Sequence, residues 1–263
     1  MAVDMSIDLI QATVQVEQPL GDGTRTVGTG FLVSDPTPDG KPRTVLVTAN
    51  HVFNRMPGAK ATIGYRIENP DGSWRYDPRK ITIRAGGRAL WTHHATRDVA
   101  AISIKAPAEF AKAAIPLAWL AGADAFTTYK VAPGDKMMAL GFPQGLSANA
   151  AGFPILRSGR VASYPLAPSA AFPTFLLDFR VFPGNSGGPV YVDGPSHFVA
   201  GMLTQQVELD SENLGIGIVT QSEFIRETLA QLDGAKAPQA LAAGADTPAA
   251  AQAVAADSAA TAR

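Results

Sequence analysis

The chain has 263 residues, with 22 Lys+Arg against 23 Asp+Glu and a formal net charge of −1. That balance excludes a polybasic nucleic-acid surface as its main business. The complete lack of cysteine excludes disulfides, thiolate nucleophiles, iron–sulfur clusters and cysteine zinc sites. Hydrophobic residues at 46% and charged residues at 17% describe a folded chain, one long enough to bury roughly 70–75% of its unfolded surface.

The first residues, MAVDMSIDLIQATVQV, have neither a basic leader region nor a long apolar core, so no export leader is expected there. A chain that stays where it is made and one whose leader has been removed are both consistent with that. No stretch reaches the ~20 apolar residues of a membrane span. Short runs rich in Val, Ile and Thr, bounded by Gly, Pro, Asn or Asp, predict strands at 26–34, 43–49, 61–67, 80–90 and 99–105. Further strands are predicted at 136–140, 153–163, 174–179, 189–192, 198–206 and 215–220. Strands and helices do not alternate, which excludes a doubly wound parallel sheet and predicts an all-β fold of barrels or a sandwich. Two helices are expected. One is the short 108–114. The other is 222–232, with Phe224, Ile225, Leu229 and Leu232 at helical spacing, Ser222 as its N-cap and Gly234 as its stop, packed on the last barrel. From Gly234 to Arg263 the chain is Ala-rich, too poor in large apolar side chains to repay its ordering entropy, and reads as a flexible tail.

The chemistry concentrates in FPGNSGGPV, Phe182–Val190. A serine in a tight Gly-rich turn between apolar strands presents its hydroxyl unhindered. The same turn can aim the N–H groups of Gly184 and Ser186 at one point, where they would hold a developing oxyanion. A serine hydroxyl alone is a weak nucleophile and needs a base. His51, in VTANHV at the end of an apolar strand, is the candidate. Asp98, in RDVAA at the start of another, is the candidate to fix its tautomer and stabilise its cation.

In this order, GTGFLV (28–33), TANHV (48–52), DVA (98–100) and GNSGGP (184–189) resemble the signature blocks of trypsin-like, chymotrypsin-fold serine peptidases. GDKMMALGFPQG (134–145), LRSGRVAS (156–163) and FVAGMLTQ (198–205) are similar to the bacterial HtrA-type branch. The resemblance implies two perpendicular six-stranded antiparallel β-barrels with a C-terminal helix. His51 and Asp98 would lie in a first barrel over 1–118 and Ser186 in a second over 119–233, with 234–263 as the tail. It implies a serine endopeptidase acting on peptide or protein substrates through an acyl-enzyme, with catalytic residues His51, Asp98 and Ser186 and oxyanion donors Gly184 and Ser186. By position relative to Ser186, a specificity pocket would have Arg180 near its base and Thr204, Gln205, Gln206, Gly215 and Gly217 in its walls. Turned inward, Arg180 would favour an acidic side chain. Turned outward, it would leave a small apolar pocket and avoid an unpaired buried guanidinium.

Asn185 stands where pancreatic-type members carry Asp, so activation by a new N-terminal amine is not expected. The residues after 233 are too few for the PDZ domain of the HtrA-type proteases, so regulation by one in cis is not expected. No metal or cofactor is implied, and the sequence carries no signal of oligomeric state. The same GNSGG fits the nucleophile elbow of α/β-hydrolases, but that needs Asp and then His after the serine, and the only later His is His197. His93, His94 and Asp98 could suggest a metal site; adjacent His residues project differently, and they read as loop residues. Trp91 and Trp119 read as packing, His197 as exposed, and Asp178 as ordering the nucleophile loop. The competing function is a catalytically silent peptide-binding module on the same scaffold.

Overall fold

The structure is a computed structural model. It describes residues 5–192, 197–209 and 212–232, with the backbone alone over 206–209 and 212–213. The first half begins with helix α1 (Met5–Ala12), followed by strands β1 (Thr13–Pro19), β2 (Arg25–Ser34) and β3 (Thr44–Thr48). After the short helix α2 (Asn50–Asn54) come β4 (Lys60–Glu68), β5 (Trp74–Thr82), the two-residue pair β6 (Arg84–Ala85) and β7 (Arg88–Ala89), β8 (Thr92–His93) and β9 (Ala100–Ile104). Helix α3 (Ala108–Ala113) and β10 (Ile115–Pro116) complete it. The second half contains α4 (Ala125–Thr128), β11 (Lys136–Gly141), β12 (Ile155–Val161), β13 (Thr174–Asp178), β14 (Pro189–Val192), β15 (Phe198–Leu209), β16 (Glu212–Gln221) and α5 (Ser222–Gln231).

The second half closes into a six-stranded barrel in the order β11-β12-β13-β16-β15-β14. Among the described residues the first half is a strongly curved sheet in the order β5-β4-β1-β2-β3-β9-β8, with β10 added beside β2, and its ends are not joined by hydrogen bonds. The all-β expectation and the C-terminal helix hold, and the barrel of the second half is the one that closes.

Most strands follow the predicted runs. Helix α1, β1 and β5 do not. Helix α1 and β1 fall before the first predicted run; Met5, Leu9 and Ala12 stand at helical spacing and Val14 and Val16 alternate, and all five reach the first core. Strand β5 begins at Trp74, well before the predicted 80–90, because its WRYDPRKIT sequence is that of an edge strand. Its residues are half-buried or exposed, charged, and interrupted by Pro78, which an edge tolerates.

Helix α5 also departs from expectation. Its N-cap is Gln221, and the Ser222 hydroxyl instead donates to the Val199 carbonyl at 2.7 Å. The helix lies across both halves. Phe224, Ile225 and Leu229 share one core with Trp91 and Val99 of the first half and Val199 and Met202 of the second. Burying those three side chains is worth roughly 5–8 kcal/mol as an upper estimate. Predicted features at 193–196 and beyond 232, including the Gly234 stop and the Ala-rich tail, lie outside the described residues.

Candidate active site

The pairing register of the first sheet brings His51 and Asp98 together. Thr48, the last residue of β3, pairs with Ala100, the first residue of β9. His51 therefore leaves just past the end of one strand, and Asp98 sits just before the start of its neighbour. The contact is two-pronged. The His51 backbone N–H donates to Asp98 Oδ1 at 2.9 Å, and His51 Nδ1 meets Oδ2 at 2.6 Å. Both side chains keep about a quarter of their surface exposed (25% each). A carboxylate at Nδ1 fixes the tautomer, with the proton on Nδ1 and the lone pair of Nε2 turned away from Asp98. The neighbouring Asn50 is held by Trp91, whose Nε1–H donates to Asn50 Oδ1 at 2.9 Å while its ring lies against Phe53.

The loop around Ser186 is tied down carbonyl by carbonyl. The Pro183 carbonyl accepts from the Gln144 N–H at 2.6 Å, that of Asn185 from Gly188 at 3.0 Å, and that of Ser186 from Thr29 at 2.8 Å. The Gly184 carbonyl accepts from the Thr29 hydroxyl at 2.6 Å. The N–H groups of Asn185, Gly187 and Gly188 are also used, by Phe182, Leu203 and Asn185. Among the described residues, no acceptor takes the N–H of Gly184 or of Ser186. Two unengaged donors in an otherwise saturated loop are what an anion-binding turn requires. In a trans peptide the carbonyl and N–H point opposite ways, so drawing the Pro183 carbonyl toward Gln144 turns the Gly184 N–H away from that loop.

Two glycines make this geometry possible. Gly184 has φ +95°, and a Cβ there would lie 2.3 Å from the Phe142 carbonyl oxygen. Gly187 has φ +91°, and its Cβ would lie 1.9 Å from the Thr29 carbonyl oxygen. Neither position accepts a side chain. Thr29, fully buried, is the hub. Beyond its bonds to Gly184 and Ser186, its hydroxyl accepts from the Phe142 N–H at 3.1 Å and its carbonyl accepts from the Thr48 hydroxyl at 2.6 Å. Thr48 stands three residues before His51. Thr29 thus joins the Ser186 loop, the loop at 142 and the end of β3.

The Ser186 hydroxyl is half-buried and donates to the Thr204 carbonyl at 3.2 Å. No hydrogen bond joins it to His51 in this arrangement. Of the residues expected around a specificity pocket, Thr204 is buried, with its hydroxyl on the Ile218 carbonyl at 3.3 Å, and Gln205 is half-buried. The Gln206 side chain lies outside the described residues. Gly215 takes φ +74°, and Gly217 packs against Val181, Leu203 and Phe179. Of the two orientations open to Arg180, the structure has it exposed, its guanidinium 5.7 Å from the centroid of the Phe182 ring. The half-buried Arg157 lies 5.0 Å from the Phe179 ring and shares the Phe182 ring at 5.6 Å, and burial lowers its pKa.

Sequence reasoning missed several residues. Thr29 lies within GTGFLV and Gln144 within GDKMMALGFPQG, and neither run by itself assigns them a role. Asn185 is buried, and its Oδ1 accepts from the Phe182 N–H at 2.9 Å, so its side chain braces the loop. Asp178, expected to order that loop, is exposed at the end of β13. His94 belongs to no metal cluster among the described residues. Its Nδ1 accepts from the Thr96 N–H at 3.2 Å, so Nε2 carries the proton and donates to Glu227 of α5 at 2.8 Å. His197 is exposed, and no described helix is long and apolar enough to cross a membrane.

The sequence matches the trypsin-like peptidase domain over residues 28–202. A comparison with curated proteins finds no match. Among solved structures the fold is similar to that of the HtrA-type protease AlgW. With a tripeptide, AlgW matches at TM-score 0.53 and 16% identity, over 86% of this chain and 63% of the other. With a decapeptide it matches at 0.54 and 17%, over 87% and 66%. A single-substitution variant of AlgW with a tripeptide gives 0.54 and 16%, over 88% and 62%. The chain therefore spans less than two thirds of the length of these neighbours.

Proposed function

Because the chain belongs to the trypsin-like peptidase family, we propose that it is a serine endopeptidase with Ser186 as nucleophile, His51 as general base and Asp98 as the group that orients His51. Ser186 Oγ attacks the peptide carbonyl, and His51 Nε2 takes the hydroxyl proton and delivers it to the leaving amine. Water then repeats the sequence on the acyl-enzyme to release the acid and restore Ser186. Asp98, already on Nδ1, stabilises the imidazolium formed on the way. The N–H groups of Gly184 and Ser186 receive the oxyanion. The observation that carries the proposal is their lack of any other acceptor among the described residues, in a loop whose carbonyls from Phe182 to Ser186 are all engaged.

Peptide binding has a place in the same geometry. Strand β14 runs beside β15 only as far as Met202, so the following residues 204–206, without a described strand on that side, offer an edge next to Ser186 for an extended substrate once the Ser186 hydroxyl leaves the Thr204 carbonyl. The AlgW structures hold peptides, which is the ligand class proposed here. With Arg180 exposed, the side chains around Gly217 are apolar, and the substrate residue before the cleaved bond is a small apolar one.

One observation favours a second reading, a catalytically silent peptide-binding module: the Ser186 proton rests on the Thr204 carbonyl rather than on the imidazole. An enzyme must turn the hydroxyl about χ1 on binding substrate. A fluorophosphonate probe separates the two. The endopeptidase is labelled at Ser186 and loses labelling in Ser186→Ala, with peptide turnover down by on the order of 10⁶-fold. A folded wild-type chain that the probe leaves unlabelled supports the module.

A further inference from the structure

Arg66 on β4 is 1% exposed, with no carboxylate within ion-pair distance among the described residues. Burial lowers its pKa to about 10, so it is charged at neutral pH. A buried cation needs compensation, and this one has three sources. Its Nη2 donates to the Gln11 carbonyl at 2.6 Å and the Ile10 carbonyl at 3.2 Å, the free carbonyls and negative pole at the end of α1. Its Nη1 donates to the Gly152 carbonyl at 3.1 Å. Its guanidinium lies 4.8 Å over the Phe153 ring.

Gly152 and Phe153 close the loop that starts at Phe142. By sequence this loop belongs to the second half, yet the first half holds it. Gln15 Nε2, just past α1, donates to the Gly145 carbonyl at 3.0 Å, and the Trp74 ring meets Phe153 edge-on at 5.2 Å. Immediately before the first of these anchors, the Gln144 N–H holds the Pro183 carbonyl.

We propose that Arg66 is a positioning residue for the oxyanion-binding turn: together with Gln15 it clamps the 142–153 loop to the α1–β1 corner, which keeps Gln144 on the Pro183 carbonyl and the Gly184 N–H turned toward substrate. The proposal rests on the endopeptidase reading above. Released from the clamp, Gln144 withdraws and the 183–184 peptide is free to rotate. The nucleophile and its base remain in place while one oxyanion donor is lost.

The test uses the full chain and a fluorophosphonate probe, comparing wild type with Arg66→Lys and Gln15→Leu. Lysine keeps the charge but cannot span both sets of carbonyls. The maximal inactivation rate of Arg66→Lys is expected to fall on the order of tenfold to hundredfold, short of the roughly 10²–10³-fold for outright loss of one donor, and that of Gln15→Leu several-fold. The half-saturating probe concentration, the apparent pKa of the rate–pH profile and the final labelled fraction stay at wild-type values. A merely structural lesion lowers the labelled fraction instead. Rates within twofold of wild type in both variants overturn the proposal. If Arg66→Lys shows no cooperative unfolding, the Gln15→Leu rate decides by the same criterion, with a several-fold fall expected. Failure of wild type itself to label counts against the endopeptidase reading, and is distinct from equal labelling of wild type and variants.

Discussion

Replacing Thr29 by Val keeps the shape of the side chain and removes one hydroxyl. That hydroxyl donates to the Gly184 carbonyl at 2.6 Å and accepts from the Phe142 N–H at 3.1 Å, in a site with no solvent exposure. The substitution leaves two buried backbone groups without partners. At about 1–3 kcal/mol each, the expected loss of stability is about 2–6 kcal/mol. A methyl also cannot sit 2.6 Å from a carbonyl oxygen, since the closest comfortable C···O approach is ~3.3 Å. The Gly184 peptide must therefore retreat by more than half an ångström at the point where the oxyanion is to be held. Turnover of a peptide substrate should fall on the order of 10²-fold with KM little changed. Thr29→Ser retains the hydroxyl and loses one methyl, costing about 1 kcal/mol and little turnover. Urea unfolding and steady-state kinetics on the three proteins check this. Thr29→Val with wild-type turnover and a stability change under about 0.5 kcal/mol would refute the role assigned to the hydroxyl.

Asp98→Asn should lower turnover by roughly 10⁴-fold with the fold intact, because an amide donates where Nδ1–H needs an acceptor; unchanged turnover would mean that the wrong orienter was chosen. Gly187→Ala should prevent folding or cost more than about 3 kcal/mol, read by chemical denaturation, since its Cβ has the Thr29 carbonyl oxygen 1.9 Å away. The Tyr65 hydroxyl is buried, has no partner among the described residues, and has its pKa pushed up by burial to about 12. Between pH about 10 and about 12 the unfolded chain has lost that proton and the native chain has kept it, so stability falls as pH rises through this window, by on the order of 2–3 kcal/mol in full. Tyr65→Phe should be at least as stable as wild type at pH 7 and should lack this part of the alkaline decline; a loss above about 1 kcal/mol at pH 7 would show that the hydroxyl has a partner.

The legible parts of the chain were those where chemistry is local. Strands such as TVLVT announce themselves by β-branched residues between polar breaks, and GNSGG announces a turn because only glycine fits at 184 and 187. His51 and Asp98 stand out by their strand-end positions and by the resemblance of TANHV and DVA, and the Thr48–Ala100 pairing accounts for their contact. What was not legible depended on partners distant in sequence. The polar edge strand β5 is defined by β4 rather than by its own pattern. Ser222 looks like a cap until the Val199 carbonyl is placed beside it. Thr29, Gln144 and Arg66 are ordinary residues locally, and what they hold lies 155, 39 and 86 positions away. The Arg180 side chain could not be oriented because nothing in its neighbours along the chain says which way it turns.

The way α5 lies over both halves has a consequence for how the molecule comes apart. Leu140, Tyr191, Val199 and Met202 are counted in the same apolar core as the strands around His51, and His94–Glu227 and Arg226 pin the helix from the other side. Neither half can melt first without exposing the other's interior. Scanning calorimetry should record a single endotherm whose calorimetric and van't Hoff enthalpies agree, and partial heating should never release an intact barrel fragment to a protease.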